Sequence, residues 1–104
     1  VGTLHYGQES FDFDDRVLAH LQFIINQKAR RKESFLISWV HPAAAQGGRS
    51  SIWISGNSDL HFGFSGSKRP AINQTWLEAM MAASYSSRGL DLDVVPEPPA
   101  GAPS

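Results

Sequence analysis

The 104-residue chain contains no cysteine. That absence excludes disulfide staples, a thiolate nucleophile and a zinc ribbon together, and it favours no cellular compartment. Long apolar runs are missing too. The longest continuous stretches, such as Phe23-Ile24-Ile25, span only a few residues, whereas a membrane-crossing helix needs roughly 20. Neither sign of charge dominates. Nine Lys+Arg stand against ten Asp+Glu, and the isoelectric point is about 6.4. No global field therefore draws the protein to nucleic acid or to a membrane surface, and any such binding must come from a local patch. The opening segment Val1-Gly2-Thr3-Leu4-His5-Tyr6 carries neither a basic nor an apolar export region, so a cytoplasmic location is expected.

What the chain does contain is enough to fold. It is 41% hydrophobic and only 18% charged, so the apolar surface available can offset the entropy of ordering. One α+β domain is expected over residues 1–95. Residues 96–104, with four prolines among nine positions, are expected to form an extended, mobile tail. No internal repeat is visible.

Periodicity supplies the elements. Alternating polarity over residues 3–6 and 10–14, broken at Gly7-Gln8-Glu9, predicts a first hairpin. Asp14 sits at an N-cap position between Phe13 and Leu18, which are spaced as a hydrophobic staple. The helix it starts places Val17, Leu18, Leu21, Ile24 and Ile25 on one face and ends in a cluster of cations, Lys28, Arg30, Arg31 and Lys32. Residues 35–40, 51–55 and 60–65 predict three strands, and the short Gly56-Asn57-Ser58-Asp59 link predicts that the last two form a hairpin. Asn73 caps a second helix, with Ile72 and Leu77 as its staple and Arg88-Gly89 as its stop. Leu90-Asp91-Leu92-Asp93-Val94 alternates as a final short strand.

The order ββ-α-βββ-α-β predicts an α+β fold, with a mainly antiparallel sheet of five to six strands and two helices. Phe35, Ile37 and Trp39 alternate with Leu36 and Val40, and Ile52 and Ile54 flank Trp53. Both faces of these strands are thus apolar. Either the helices cover opposite faces or a second copy of the chain covers one of them.

Candidate chemistry is sparse. His5, His20, His41 and His61 lie fifteen to twenty-one residues apart, with no H-x-x-x-H pair, and no metal or other cofactor is expected. Asp12, Asp14 and Asp15 invite comparison with a divalent-cation site, but helix capping accounts for Asp14 better. Ser65-Gly66-Ser67-Lys68 matches S-x-x-K without the companion motifs of serine acyl enzymes. A phosphate loop and a G-x-S-x-G elbow are both missing. Arg49, Ser65, Ser67, Lys68 and Arg69 form short polar loops that can hold an anion, with Trp39 and Trp53 on nearby strands as stacking or interface residues if exposed. The competing account pairs Arg49 with an acid such as Asp59.

The segments Tyr6-Gly7, Phe13-Asp14-Asp15-Arg16-Val17-Leu18, Glu33-Ser34-Phe35-Leu36-Ile37-Ser38-Trp39, Gly48-Arg49-Ser50-Ser51-Ile52-Trp53-Ile54, Phe64-Ser65-Gly66-Ser67-Lys68-Arg69-Pro70 and Trp76-Leu77-Glu78-Ala79-Met80 carry a resemblance over residues 2–98. The chain resembles a family of small, single-domain actinobacterial proteins of unknown function, whose members are often labelled "ATP-dependent DNA ligase". The resemblance brings no catalytic residues with it. A nucleotidyl-transferring ligase needs the lysine of a K-x-D-G motif, and none of Lys28, Lys32 and Lys68 stands in that context. Two function classes follow. One is a non-catalytic binding or interaction module, with homodimerisation as one form. The other is an accessory protein that binds nucleic acid or nucleotide phosphates through Arg49, Lys68 and Arg69, with the basic end of the first helix as a further contact.

Overall fold

A computed structural model describes residues 2–40, 48–66 and 70–98. In chain order its elements are β1 (Gly2–Tyr6), β2 (Glu9–Phe13), α1 (Asp15–Arg30), β3 (Phe35–Val40), β4 (Arg49–Ile54), β5 (Leu60–Gly63), α2 (Gln74–Ser84) and β6 (Leu90–Asp91). The class is α+β, in the expected order. The strands form two three-stranded sheets, β2-β1-β5 and β4-β3-β6, rather than one larger sheet. The chain correspondingly forms two compact units, Val1–Glu33 with Ser55–Ile72 and Ser34–Ile54 with Asn73–Ser104.

The expected hairpin between β4 and β5 does not form. Its turn does: Ser58 donates its backbone N–H to the Ser55 carbonyl at 3.1 Å, and the Ser58 hydroxyl accepts from the Ser55 N–H at 2.9 Å. However, β4 pairs with β3 and β5 pairs with β1, both antiparallel. Turn residues set local geometry, whereas strand partners are chosen by which faces must be buried.

In the first unit, β1 and β2 pair with Tyr6 opposite Glu9, so Gly7 and Gln8 close a two-residue loop. Gly7 takes the positive φ of 61° that such tight hairpin turns demand. The Asp14 carboxylate accepts from the Arg16 N–H at 2.8 Å and caps α1. Leu18, Leu21, Ile24 and Ile25 are buried, as their spacing predicts, together with Leu4 and Phe13 of the sheet. His20 is fully buried on the same helix. Its Nδ1 lies 2.6 Å from the Arg16 carbonyl, which can only accept, so Nδ1 carries the proton. After α1, Lys32 N–H donates to Ala29 and Glu33 N–H to Lys28, the double closure of a Schellman motif. Lys32 occupies the left-handed position with φ 58°, where glycine is the usual residue.

In the second unit β3 is central. Phe35, Ile37, Trp39, Ile52, Ile54 and Leu90 are buried on one side of the sheet, with Trp76, Leu77 and Met80 of α2. Asn73 caps α2 by accepting from the Trp76 N–H at 3.2 Å. The helix ends at Ser84, with Tyr85 as its C-cap, instead of continuing to Arg88-Gly89. Gly89 serves a different purpose. Its φ is 72°, and a Cβ there would lie 2.5 Å from the Leu36 carbonyl oxygen, so only glycine lets the chain pass this close to β3. β6 then runs parallel to β3, with Leu90 beside Ile37. The strand expected over residues 90–94 stops at Asp91, because the Asp91 side chain accepts from the Asp93 N–H at 3.0 Å and turns the chain. Beyond it, the Trp76 indole donates to the Val95 carbonyl at 2.7 Å, and Asn73 donates to the Glu97 carboxylate at 3.3 Å. The stretch expected to be a tail from residue 96 onward therefore begins with a side chain bonded to the cap of α2.

Candidate functional site

Arg49 opens β4, and its side chain is half exposed. In the register of the sheet it shares one face with Ser38, Ser51, Trp53 and Asp91. From there it reaches over β3, placing Nη2 3.0 Å from Asp91 and Nη1 3.6 Å from Asp93. The arginine pairs with acids, as the competing account held, but with these two rather than Asp59. Two carboxylates on one guanidinium neutralise much of the charge an anion would meet.

Ser65 lies in the first unit, just past β5. Its hydroxyl donates to Asp15 Oδ2 at 2.7 Å, and its N–H reaches Oδ1 at 3.5 Å. The hydroxyl bond, against the opposing effect of burial, holds the Asp15 carboxyl below its ordinary range. Ser67, Lys68 and Arg69 lie outside the described residues, as do residues 41–47.

The two tryptophans separate. Trp39 is 6% exposed and Trp53 is 55% exposed, because strand alternation turns Trp39 to the side of Ile37 and Trp53 to the opposite side, beside Leu36. Trp39 is therefore a core residue, and of the two tryptophans only Trp53 is largely exposed. The basic end of α1 is also reduced: Lys28 is buried and lies 3.5 Å from Glu33.

A site that periodicity did not reveal lies on the other stripe of α1. Ala19, Gln22, Phe23, Asn26 and Ala29 line one wall of a groove of about 810 Å³, and Phe62, Phe64, Pro70 and Ile72 are among the residues that line the rest. All of these belong to the first unit. Phe23 and Ile72 are 43% and 40% exposed, so large apolar side chains meet solvent along the groove. The signal was available in the helix: Phe23 falls outside the face defined by Leu18, Leu21 and Ile25, and Ala19, Phe23, Asn26 and Ala29 repeat at helical spacing. Ile72, expected as the staple of α2, lines this groove. Gln22 and Asn26, one turn apart on α1, are the carboxamides of its wall.

A family model described as a domain of unknown function (DUF7882) matches residues 1–97. The chain belongs to this family. No curated protein and no solved structure matches it. Both the groove and the Arg49 pair lie within the span that defines the DUF7882 domain, and the family description names no activity. Among the described residues no helix is long and apolar enough to cross a membrane.

Proposed function

We propose that this DUF7882 domain is a non-catalytic binding module, and that its groove beside α1 takes an apolar peptide segment of a partner protein. The observation that carries the reading is the groove itself, with Phe23, Phe62, Phe64 and Ile72 among its lining residues. Its volume falls within the roughly 300–1,000 Å³ typical of ligand sites, and its lining combines large apolar side chains with polar groups. A peptide is favoured because Gln22 and Asn26 both offer a donor and an acceptor, which suits the N–H and C=O groups of a bound backbone. Apolar side chains of that peptide would cover Phe23 and Ile72, while the two carboxamides fix its register.

The second class, an accessory role at nucleic acid drawing on Arg49, Ser65, Ser67, Lys68 and Arg69, gives different results in the same experiment. Peptides selected from a random display library against the native domain should be rich in apolar residues. Their affinity should fall about tenfold or more in Phe23→Ser with Ile72→Ser, the equivalent of roughly 1.4 kcal/mol. Trp53→Ser should leave it unchanged. Selection of peptides insensitive to the groove variants overturns the proposal. So does salt-dependent oligonucleotide binding that Arg49→Ala with Arg69→Ala removes, which is the signature of phosphate contacts. A concentration-dependent dimer that Trp53→Glu dissociates would instead assign the recognition surface to the outer face of the second sheet.

A further inference from the structure

The sheet of the first unit has a second face that neither α1 nor the groove uses. Alternation along β1, β2 and β5 puts Thr3, His5, Ser10, Asp12, His61 and Gly63 on it, a polar set opposite the face of Leu4 and Phe13. His5 and His61 are direct partners across the antiparallel pair of β1 and β5. Both are exposed, and their rings meet edge to face with centroids 5.2 Å apart and planes at 85°. Two exposed imidazoles thus stand beside each other on neighbouring strands, the spacing a two-histidine chelate uses.

We infer that His5 and His61 bind one divalent transition-metal ion, each donating a ring nitrogen, with water completing the coordination. Imidazole is the side chain that suits copper, nickel and zinc, and bond lengths of about 2.0–2.1 Å for zinc require the two donor atoms to approach each other on one side of the ion. Strand pairing already supplies most of that approach, since directly opposed residues have Cβ atoms about 4.5–5.5 Å apart. Only side-chain rotation remains, and exposed rings rotate at little cost. The surroundings agree. Gly63, two residues along β5 from His61 and diagonal to His5, carries no side chain, which leaves lateral room for water ligands. Asp12 lies diagonally from His5 on the same face, with its carboxylate held by the Thr3 hydroxyl at 3.1 Å, and contributes a negative charge to a site that gains two positive ones. Among the described residues no third histidine, cysteine or carboxylate joins the pair. The site is therefore bidentate and open, an exchange site at the surface rather than a structural centre. Affinity should follow the usual order for nitrogen donors, copper above nickel and zinc.

The experiment titrates the native, untagged chain with Ni²⁺ and with Zn²⁺ by calorimetry, and repeats the titration on His5→Gln, His61→Gln and His41→Gln. One ion per chain is expected for the parent and for His41→Gln. Affinity should fall about tenfold or more in each of the other two, since a lone imidazole loses the chelate. A measurement on the parent alone guards against a folding defect in the variants. Substoichiometric Cu²⁺ should broaden the amide resonances around residues 5 and 61 before those of any other segment. No binding by the parent, unchanged affinity in His5→Gln and His61→Gln, or broadening centred elsewhere each overturns the inference.

Discussion

The two units follow one plan and differ in how they finish it. Each is a hairpin, a helix and a third strand that pairs with the first strand of the hairpin, giving β2-β1-β5 in one and β4-β3-β6 in the other. The third strand is antiparallel in the first unit and parallel in the second. The chain also reaches the two strands by different routes. Between α1 and β5 the chain leaves to build β3 and β4, and β5 then enters from the Ser55–Ser58 turn. By contrast, α2 feeds β6 directly through the short turn that ends at Gly89. The shared plan leaves no trace as a sequence repeat, because the two copies are interleaved and only their hydrophobic patterns correspond.

Glycine with positive φ serves both units, and the space around it separates them. Gly7 has nothing within 4 Å of where a Cβ would sit, whereas at Gly89 the Leu36 carbonyl and Cβ stand at 2.5 and 2.8 Å. Gly89→Ala should therefore cost both the left-handed conformation and a backbone clash, about 3 kcal/mol or more, read as a lowered urea midpoint. Gly7→Ala should cost only the first of these, about 1 kcal/mol. Equal losses at the two positions would show that the close approach of Gly89 to β3 is not retained in solution.

The ends of the helices sharpen the comparison with a smaller effect. Lys32 closes the Schellman turn of α1 in a conformation that costs a side chain about 1 kcal/mol. Lys32→Gly should therefore stabilise the protein by up to roughly that amount, less the greater chain entropy glycine brings to the unfolded state. A calorimetric melting temperature that falls would show that the Lys32 side chain makes up the strain through its own contacts.

Much of this architecture was legible in the residues. Asp14 and Asn73 were readable as caps because a short polar side chain before an apolar periodic run has a local purpose. Leu18, Leu21 and Ile25 were readable as core because burial of a helix face is set by spacing. The partners of β4 and β5 were not readable. The serine turn between them is strong local chemistry, yet pairing is decided by contacts distant in sequence. The candidate sites divide in the same way. Arg49 was read as needing either an anion or an acid such as Asp59, whereas Asp91 and Asp93 come within its reach because β6 lies beside β3. The groove went unread because Phe23 was absorbed into an apolar run, and its opposing wall is supplied by Phe62, Phe64, Pro70 and Ile72, distant in sequence.

The smallest effect concerns Asp15 and Ser65, and it bears on which surface of the first unit takes a ligand. The Ser65 hydroxyl lowers the Asp15 titration in the folded protein. The stabilisation this provides is therefore present above the unfolded carboxyl value of about 3.9 and lost as pH falls through the lower folded value. Ser65→Ala should move the Asp15 titration upward, as followed by its carboxyl carbon shift, and narrow the acid window in which that stability disappears. Because this carboxylate is exposed, the change in neutral-pH stability should be close to the limit of measurement. The same titration tests the anion reading directly. A hydroxyl donated to Asp15 is not donated to phosphate, and an anion arriving there would place a second negative charge beside the carboxylate and raise its pKa. With the Ser65 hydroxyl committed to Asp15, the titration should be unchanged by added inorganic phosphate at constant ionic strength. A phosphate-dependent rise would show that the Ser65 segment releases Asp15 to take an anion, and would move the recognition surface from the apolar groove to that loop.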